Sequence, residues 1–452
     1  MFKNSTENDA FRIASYSGMC EYTMQTTNLS PGATGNYMRQ LDGLRALAVI
    51  AVIFSHTLPV TKVSSFGWLG VRSFYVLSGF LITGILLRAK EESSTSADAW
   101  YSLRSFYIRR LLRIFPLYYL VLGICVLLAL VPIQTYLASF FVSDTSRLAA
   151  IETCPPIKIH WVWTSLFTYT SNWQAVIQGH GLPEPYSHFW TLAVEEQFYL
   201  FWPVFVFFLP RRAFPYGLIA VILSGPLSRF LIWHWNGNQT SASGATFSCL
   251  DALGGGAALA FLTHYNRLSC YRKSVGAFCV LIGSLLFAVL VFMKTKYEWH
   301  ATSVVFKDVS ATLVCTWIVN RATTGFTGAV KRFLEWRPLV YVGTISYGMY
   351  VYHMFLISVL SWLAVVFGRP DIFPNKDGLQ LFIYVSLATI AVASLSWHFF
   401  EKPLNNLKKH FPYSQKSRFP SCTESQAMRT GERSLLSEGQ QARTPQVDFA
   451  AG

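Results

Sequence analysis

Stretches of about twenty mostly apolar residues recur along this chain, and that recurrence limits its possible folds more than any other feature. A hydrocarbon layer about 30 Å thick is crossed by roughly 20 apolar residues in a helix, which satisfies its own backbone groups in lipid. About ten such stretches are present, near 43–58, 66–87, 113–132, 188–209, 213–233, 247–263, 274–293, 302–320, 338–366 and 379–400. They predict an all-α, polytopic integral membrane protein with about ten transmembrane helices. Composition supports this, since 13% of residues are charged and the mean hydropathy is +0.35, whereas a soluble domain is roughly 25% charged.

The segment "HWVWTSLFTYTSNWQAVIQ" (160–178) is aromatic, polar and short, and reads as a re-entrant or interfacial piece. With it excluded, the loops at 88–113, 211–212, 265–273 and 321–337 hold roughly twice as many Lys and Arg as the opposing loops. Basic residues are retained on the cytoplasmic side. Both termini are therefore expected in the cytoplasm, in a multi-pass protein of the cell's inner (plasma) membrane. Residues 1–36 read as a disordered N-terminal segment, 37–405 as the membrane domain and 406–452 as a disordered cytoplasmic tail.

The net charge of +14 fits this bias and proximity to anionic lipid. No basic run interleaved with aromatics lies outside the helix flanks, so no nucleic-acid partner is expected. The eight cysteines are scattered without a C-x-x-C pair, which indicates neither a zinc site nor a disulfide framework. "NQT" at 238–240 fits a glycosylation acceptor in an outer loop.

Ionisable residues inside the spans are informative, because each costs at least about 2.5 kcal/mol near a helix centre unless it faces a partner or water. They are Arg45, Arg72, Arg229, Lys307, Glu195, Glu196, Asp251, Asp308, His56 and His353. The balance of signs suggests an internal polar cavity, with adjacent Lys307 and Asp308 read first as a structural ion pair. In "LDGLRALAVIAVIFSHTLP", Arg45 and His56 are eleven residues apart, on one helical face and about 16 Å apart along the axis. Histidine is suited to general base work near neutrality; the plainer alternative is a packed core histidine.

"FWTLAVEEQFYLFWP" places Glu195 and Glu196 side by side, four and three residues from Tyr199. That helix presents a carboxylate and a phenol to one cavity. One carboxylate is expected to orient His56 and the other to pair with Arg45 or Arg72; the alternative is that both only neutralise buried arginines. "FYIRRLLRIFPLYYL" puts Arg109 and Arg113 on one face with Arg110 about 100° away. Three guanidinium forks suit a phosphorylated ligand, although membrane anchoring fits the same pattern.

"LDGLRALAVIAVIFSH", "GWLGVRSFYVLSGFLITGILL", "YIRRLLRIFPLYYL", "FWTLAVEEQFYLFWP", "DALGGGAALA", "ISYGMYVYHMF" and "HFFEKPLN" occur in that order. Together they resemble the membrane acyltransferase family 3, over about residues 37–405. The resemblance implies transfer of an acyl group, usually acetyl, from cytoplasmic acyl-CoA to a hydroxyl of a sugar or envelope glycan. It assigns Arg45 and His56 to the essential pair of the first helix, and the spacing of Glu195 and Glu196 to Tyr199 adds them to the expected catalytic set. Arg109, Arg110 and Arg113 then hold the coenzyme's phosphates, with Arg72 and Ser78 in the same donor-binding set. "SGF" at Ser78, Gly79 and Phe80 matches the second-helix signature.

No permanently bound cofactor and no metal is implied, since a thioester is already activated and no ligand cluster is visible. The expected partners are acyl-CoA, a sugar or glycan acceptor and the bilayer. Two departures stand out. Ser55 precedes His56 where many relatives carry a second histidine, and Arg72 stands where many are acidic. The rival reading is a proton-coupled exporter of a glycan or small glycosylated molecule, because buried His, Glu and Arg also build proton relays. A proton relay has no need of the three-arginine motif.

Overall fold

The computed structural model describes residues 38–58, 65–130, 160–265, 272–297, 300–367 and 378–413. Every regular element among them is helical. In chain order they are α1 (Arg39–Thr57), α2 (Ser65–Glu92), α3 (Ser96–Leu130), α4 (His160–Phe167), α5 (Ser171–Gln178), α6 (Phe189–Phe208), α7 (Phe214–Asn236) and α8 (Gln239–Gly244). There follow α9 (Leu250–His264), α10 (Arg272–Tyr297), α11 (His300–Thr324), α12 (Gly328–Leu334), α13 (Arg337–Thr344), α14 (Ser346–Val366), α15 (Leu379–Ser396) and α16 (Lys402–Asn406).

Each of the ten apolar stretches falls on helical structure. Among the described residues, five helices are long and apolar enough to cross a membrane, by length and composition: Gly67–Glu92, Ser96–Leu128, Phe214–Asn236, Ser346–Ala364 and Leu379–His410, with a shorter apolar stretch at Gly276–Leu290 in α10. Several of the others are shorter or more polar. α1 carries Asp42 and Arg45, α6 carries Glu195 and Glu196, and α9 has 15 residues. The 160–178 segment forms α4 and α5, of 8 residues each. Each helix is about 12 Å long, too short to cross.

Helical structure continues past residue 405. α15 runs through a π-helical turn (Trp397–Glu401) into α16 and a 3₁₀ turn (Leu407–His410). Residues 1–37 and 414–452, where disorder is expected, lie outside the described residues, as do 131–159.

α2 is the central helix, packed against α1, α6, α9 and α11. Its contact with α9 is backbone to backbone. A Cβ on Gly79 would sit 1.9 Å from the Leu253 carbonyl oxygen, and one on Gly256 would sit 2.0 Å from that of Val76. The glycine of the SGF signature is thus used for helix packing, as small residues are where helices approach closely. Around this contact Val76, Leu77, Leu253 and Ala257 are fully or almost fully buried.

α2, α7, α9 and α11 together hold a buried charge network. Arg72 donates to Asp251 at 2.9 Å and to Asp308, while Arg229 pairs with Asp251 at 2.7 Å and with Asp308 at 3.3 Å. Two guanidiniums and two carboxylates therefore neutralise one another in a dry interior, where a lone charge would be prohibitively costly. Trp68 Nε1 donates to Asp308 at 2.6 Å. Arg72, expected to bind the donor, is bonded into this network, and Asp308, read first as the partner of Lys307, pairs with two arginines, while Lys307 lies 4.3 Å over the Trp68 ring.

Asn238 is also reassigned. Its Oδ1 accepts from the Ser241 backbone N–H at 3.0 Å, and its Nδ2 donates to the Gly179 carbonyl at 2.8 Å. Its amide caps α8 and ties it to the end of α5, which does not suit a glycan acceptor.

Candidate active site

A cavity of about 380 Å³ opens between α1, α2, α3, α6, α14 and the C-terminal turn. Its walls carry Arg45, Arg109, Arg110, Arg113 and Lys408, faced by Glu195 and Glu196. Five basic groups against two carboxylates make a positive site. Arg45 is already engaged, with Asp42 at 3.0 Å one turn away.

Arg109 has a supporting role. Its Nη1 donates to the carbonyls of Lys408 at 2.8 Å and Phe411 at 3.1 Å, and its guanidinium lies 4.5 Å over the Tyr413 ring. It anchors the C-terminal turn as the cavity's floor. Arg110 lies 5.5 Å over the Tyr199 ring, and Arg113, one turn along α3, faces the same space. Neither makes an ion pair with a protein carboxylate among the described residues.

The carboxylates answer to α2. Ser78 Oγ donates to Glu195 Oε1 at 2.8 Å and accepts from the Tyr199 hydroxyl at 3.0 Å. Glu196 lines the cavity beside it. Neither glutamate touches His56, Arg72 or Arg45 through a hydrogen bond or ion pair, so the expectation that one orients His56 is corrected. The reason is distance along α1: Arg45 lies in the cavity wall, and His56 is about 16 Å further on.

Apolar side chains, among them Val71, Phe74, Leu81, Ile82 and Leu192, complete the lining, and Thr191 and Tyr350 close the wall between α6 and α14. The Tyr350 hydroxyl stands 2.5 Å from Thr191 Oγ1, which donates to the His188 carbonyl at 2.9 Å. Behind this closure lie three histidines. The His353 ring is 5.3 Å from that of His56 and 4.8 Å from that of His188, and the Tyr350 ring is 5.5 Å from both His188 and His353. His188 and His353 are buried, and His56 is exposed.

One cavity thus unites Arg45, Ser78, Arg109, Arg110, Arg113, Glu195 and Glu196, while neither His56 nor Arg72 lines it. Sequence reasoning missed Lys408, Tyr413, Thr191, Tyr350 and His188. His188 was within reach, since it immediately precedes the FWTLAVEEQ motif. Among the described residues no group of three or more His, Cys, Asp or Glu is arranged to hold a metal ion.

A family model described as an acyltransferase domain matches residues 38–401. The chain is 30% identical over 391 residues to the peptidoglycan O-acetyltransferase OatA of Listeria monocytogenes, covering 81% of this chain and 56% of that protein. It is 30% identical over 392 residues to the putative peptidoglycan O-acetyltransferase YrhL of Bacillus subtilis, covering 81% and 55%. A putative O-acetyltransferase of Staphylococcus aureus matches at 30% over 391 residues, covering 81% and 57%. The chain therefore spans little more than half the length of these relatives. No solved structure matches it. Nothing in these similarities supports the exporter alternative. With the domain matched over most of its length and its motifs converging on one cavity, the chain belongs to the membrane acyltransferase family 3.

Proposed function

We propose that this protein transfers an acyl group, most simply acetyl, from acyl-CoA to a hydroxyl of a sugar in an envelope glycan. Its relatives are named for O-acetylation of peptidoglycan, which makes a glycan hydroxyl the acceptor to test first. In this reading the chain crosses the plasma membrane ten times with both termini in the cytoplasm. The excess of Lys and Arg on one set of loops supports that topology. So does the charge of α1, α6 and α11, which is neutralised or turned inward and permits their insertion.

One observation carries the donor assignment. Arg110 and Arg113 line a cavity beside Lys408, and neither forms an ion pair with a carboxylate among the described residues. Cations gathered so closely repel one another, and an anionic ligand relieves that repulsion. Guanidinium forks match phosphate oxygens in paired hydrogen bonds. The phosphates of the donor would lie at this end, with the thioester arm along the apolar stretch toward Thr191 and Tyr350. His56, beyond that closure, would act as general base on the acceptor hydroxyl.

The test follows free thiol release from acetyl-CoA by protein in vesicles, with and without glycan acceptor. Acceptor-dependent release in the wild type, lost on His56→Gln, is the expected result. Release that never depends on acceptor or on His56 would overturn the reading.

A further inference from the structure

If the glutamates do not orient His56, another group must fix which of its nitrogens is free to take a proton. His353 is fully buried. Its Nδ1 lies 2.6 Å from the Tyr350 carbonyl oxygen, one helical turn back on α14. A carbonyl only accepts, so Nδ1 carries the hydrogen and Nε2 of the neutral ring holds a lone pair. That Nε2 has no hydrogen-bond partner. A buried acceptor left unpaired is costly, so it marks a place where a donor is due.

The ring of His56 is 5.3 Å from that of His353, tilted by 49°. His56 lies in the last turn of α1 with an exposed side chain, and a staggered change of χ angle moves its ring nitrogens relative to His353. His188, on the other side, directs its Nε2 toward the Val351 carbonyl at 3.2 Å. With its hydrogen on Nε2, the neutral His188 ring has only an acceptor at Nδ1, itself without a partner among the described residues, so of the two neighbouring rings it is His56 that can donate to His353.

We propose that His353 is a positioning residue for His56, accepting a hydrogen bond from one ring N–H of His56 at its own Nε2. This rests on His56 being the base. His56 is then held in the tautomer whose second nitrogen keeps a lone pair facing the acceptor. That nitrogen takes the hydroxyl proton as the new C–O bond forms and the thioester C–S bond breaks. The proton then passes from His56 to the leaving thiolate, restoring the neutral ring. Throughout, His353 stays neutral and orients and steadies the imidazolium.

Three variants in reconstituted vesicles test it: His353→Leu, His353→Gln and His56→Gln. His353→Leu removes the acceptor at similar volume and should lower kcat by roughly a hundredfold, with the KM for acetyl-CoA unchanged within about threefold. His353→Gln restores an acceptor oxygen and should recover turnover to within about tenfold of wild type. Because the Leu variant can fail to fold, ¹⁵N NMR of labelled wild-type protein supplies a second measurement. A single His56 tautomer with a hydrogen-bonded N–H is expected. Averaging tautomers, a His353→Leu variant near wild-type rate, or Leu and Gln variants equally slow would each overturn the proposal. Near wild-type turnover in His56→Gln would instead overturn the reading of His56 as base.

Discussion

Ser78 on α2 donates its hydroxyl hydrogen to Glu195 on α6 across 2.8 Å and takes that of Tyr199 at 3.0 Å, so two helices share one bonded unit in the cavity wall. Ser78→Ala leaves a carboxylate and a phenol without their common partner, at a local cost of about 1–3 kcal/mol. We expect kcat to fall about tenfold in Ser78→Ala and further in Glu195→Gln, with donor affinity retained. Thiol-release kinetics check both, and a pure KM effect would show that the unit serves donor binding.

Arg110→Gln and Arg113→Gln should each weaken coenzyme A binding by about ten- to a hundredfold, the range of one lost charge-assisted hydrogen bond of about 1.5–3 kcal/mol. Arg104, exposed on the same helix, is the control and should show no change on conversion to Gln. Calorimetry in detergent measures all three. Equal weakening in the control would reduce the effect to net charge.

Asp308→Asn strips one carboxylate from a network holding two fully buried guanidiniums. Breaking such a network costs about 3–5 kcal/mol. The variant should lose folded yield and unfold at lower temperature, in contrast to Glu195→Gln, which should stay folded and turn over slowly. Thermal unfolding followed by tryptophan fluorescence separates the two, and matching unfolding profiles would contradict this division of roles.

Gly79→Ala places a methyl group against the Leu253 carbonyl, where a Cβ has only 1.9 Å of room. Overpacking of this kind costs about 1–3 kcal/mol, and a backbone neighbour yields less readily than a side chain. A lowered unfolding temperature is expected in Gly79→Ala. Gly84→Ala, on the same helix with nothing within 4 Å of a Cβ, should gain a little from helix propensity.

Much of this site was legible because helical spacing is local. The periodicity of "FYIRRLLRIF" places Arg109, Arg110 and Arg113 together, and the eleven-residue interval sets Arg45 and His56 at opposite ends of one face. What spacing cannot express is which helices meet. His56, His188 and His353 come from the end of α1, the start of α6 and the body of α14, separated by more than a hundred residues at each step, and their convergence follows from packing alone. Arg72 misled for the same reason. Its neighbours in sequence suggest the cavity, while its partners in space, Asp251 and Asp308, draw it into the dry interior. Lys408 and Tyr413 escaped notice because hydropathy ends before them, although the backbone that carries them is held by Arg109.

That grip of Arg109 on the carbonyls of Lys408 and Phe411 bears on how the protein is handled at the bench. A fluorescent reporter or purification tag spliced in at residue 405, where the apolar sequence has run out, would sever the turn that floors the donor cavity. The product could insert in the membrane with its topology intact and still give a blank in every acyl-transfer assay. Joining the reporter downstream of Tyr413 keeps localisation and activity measurable in the same molecule.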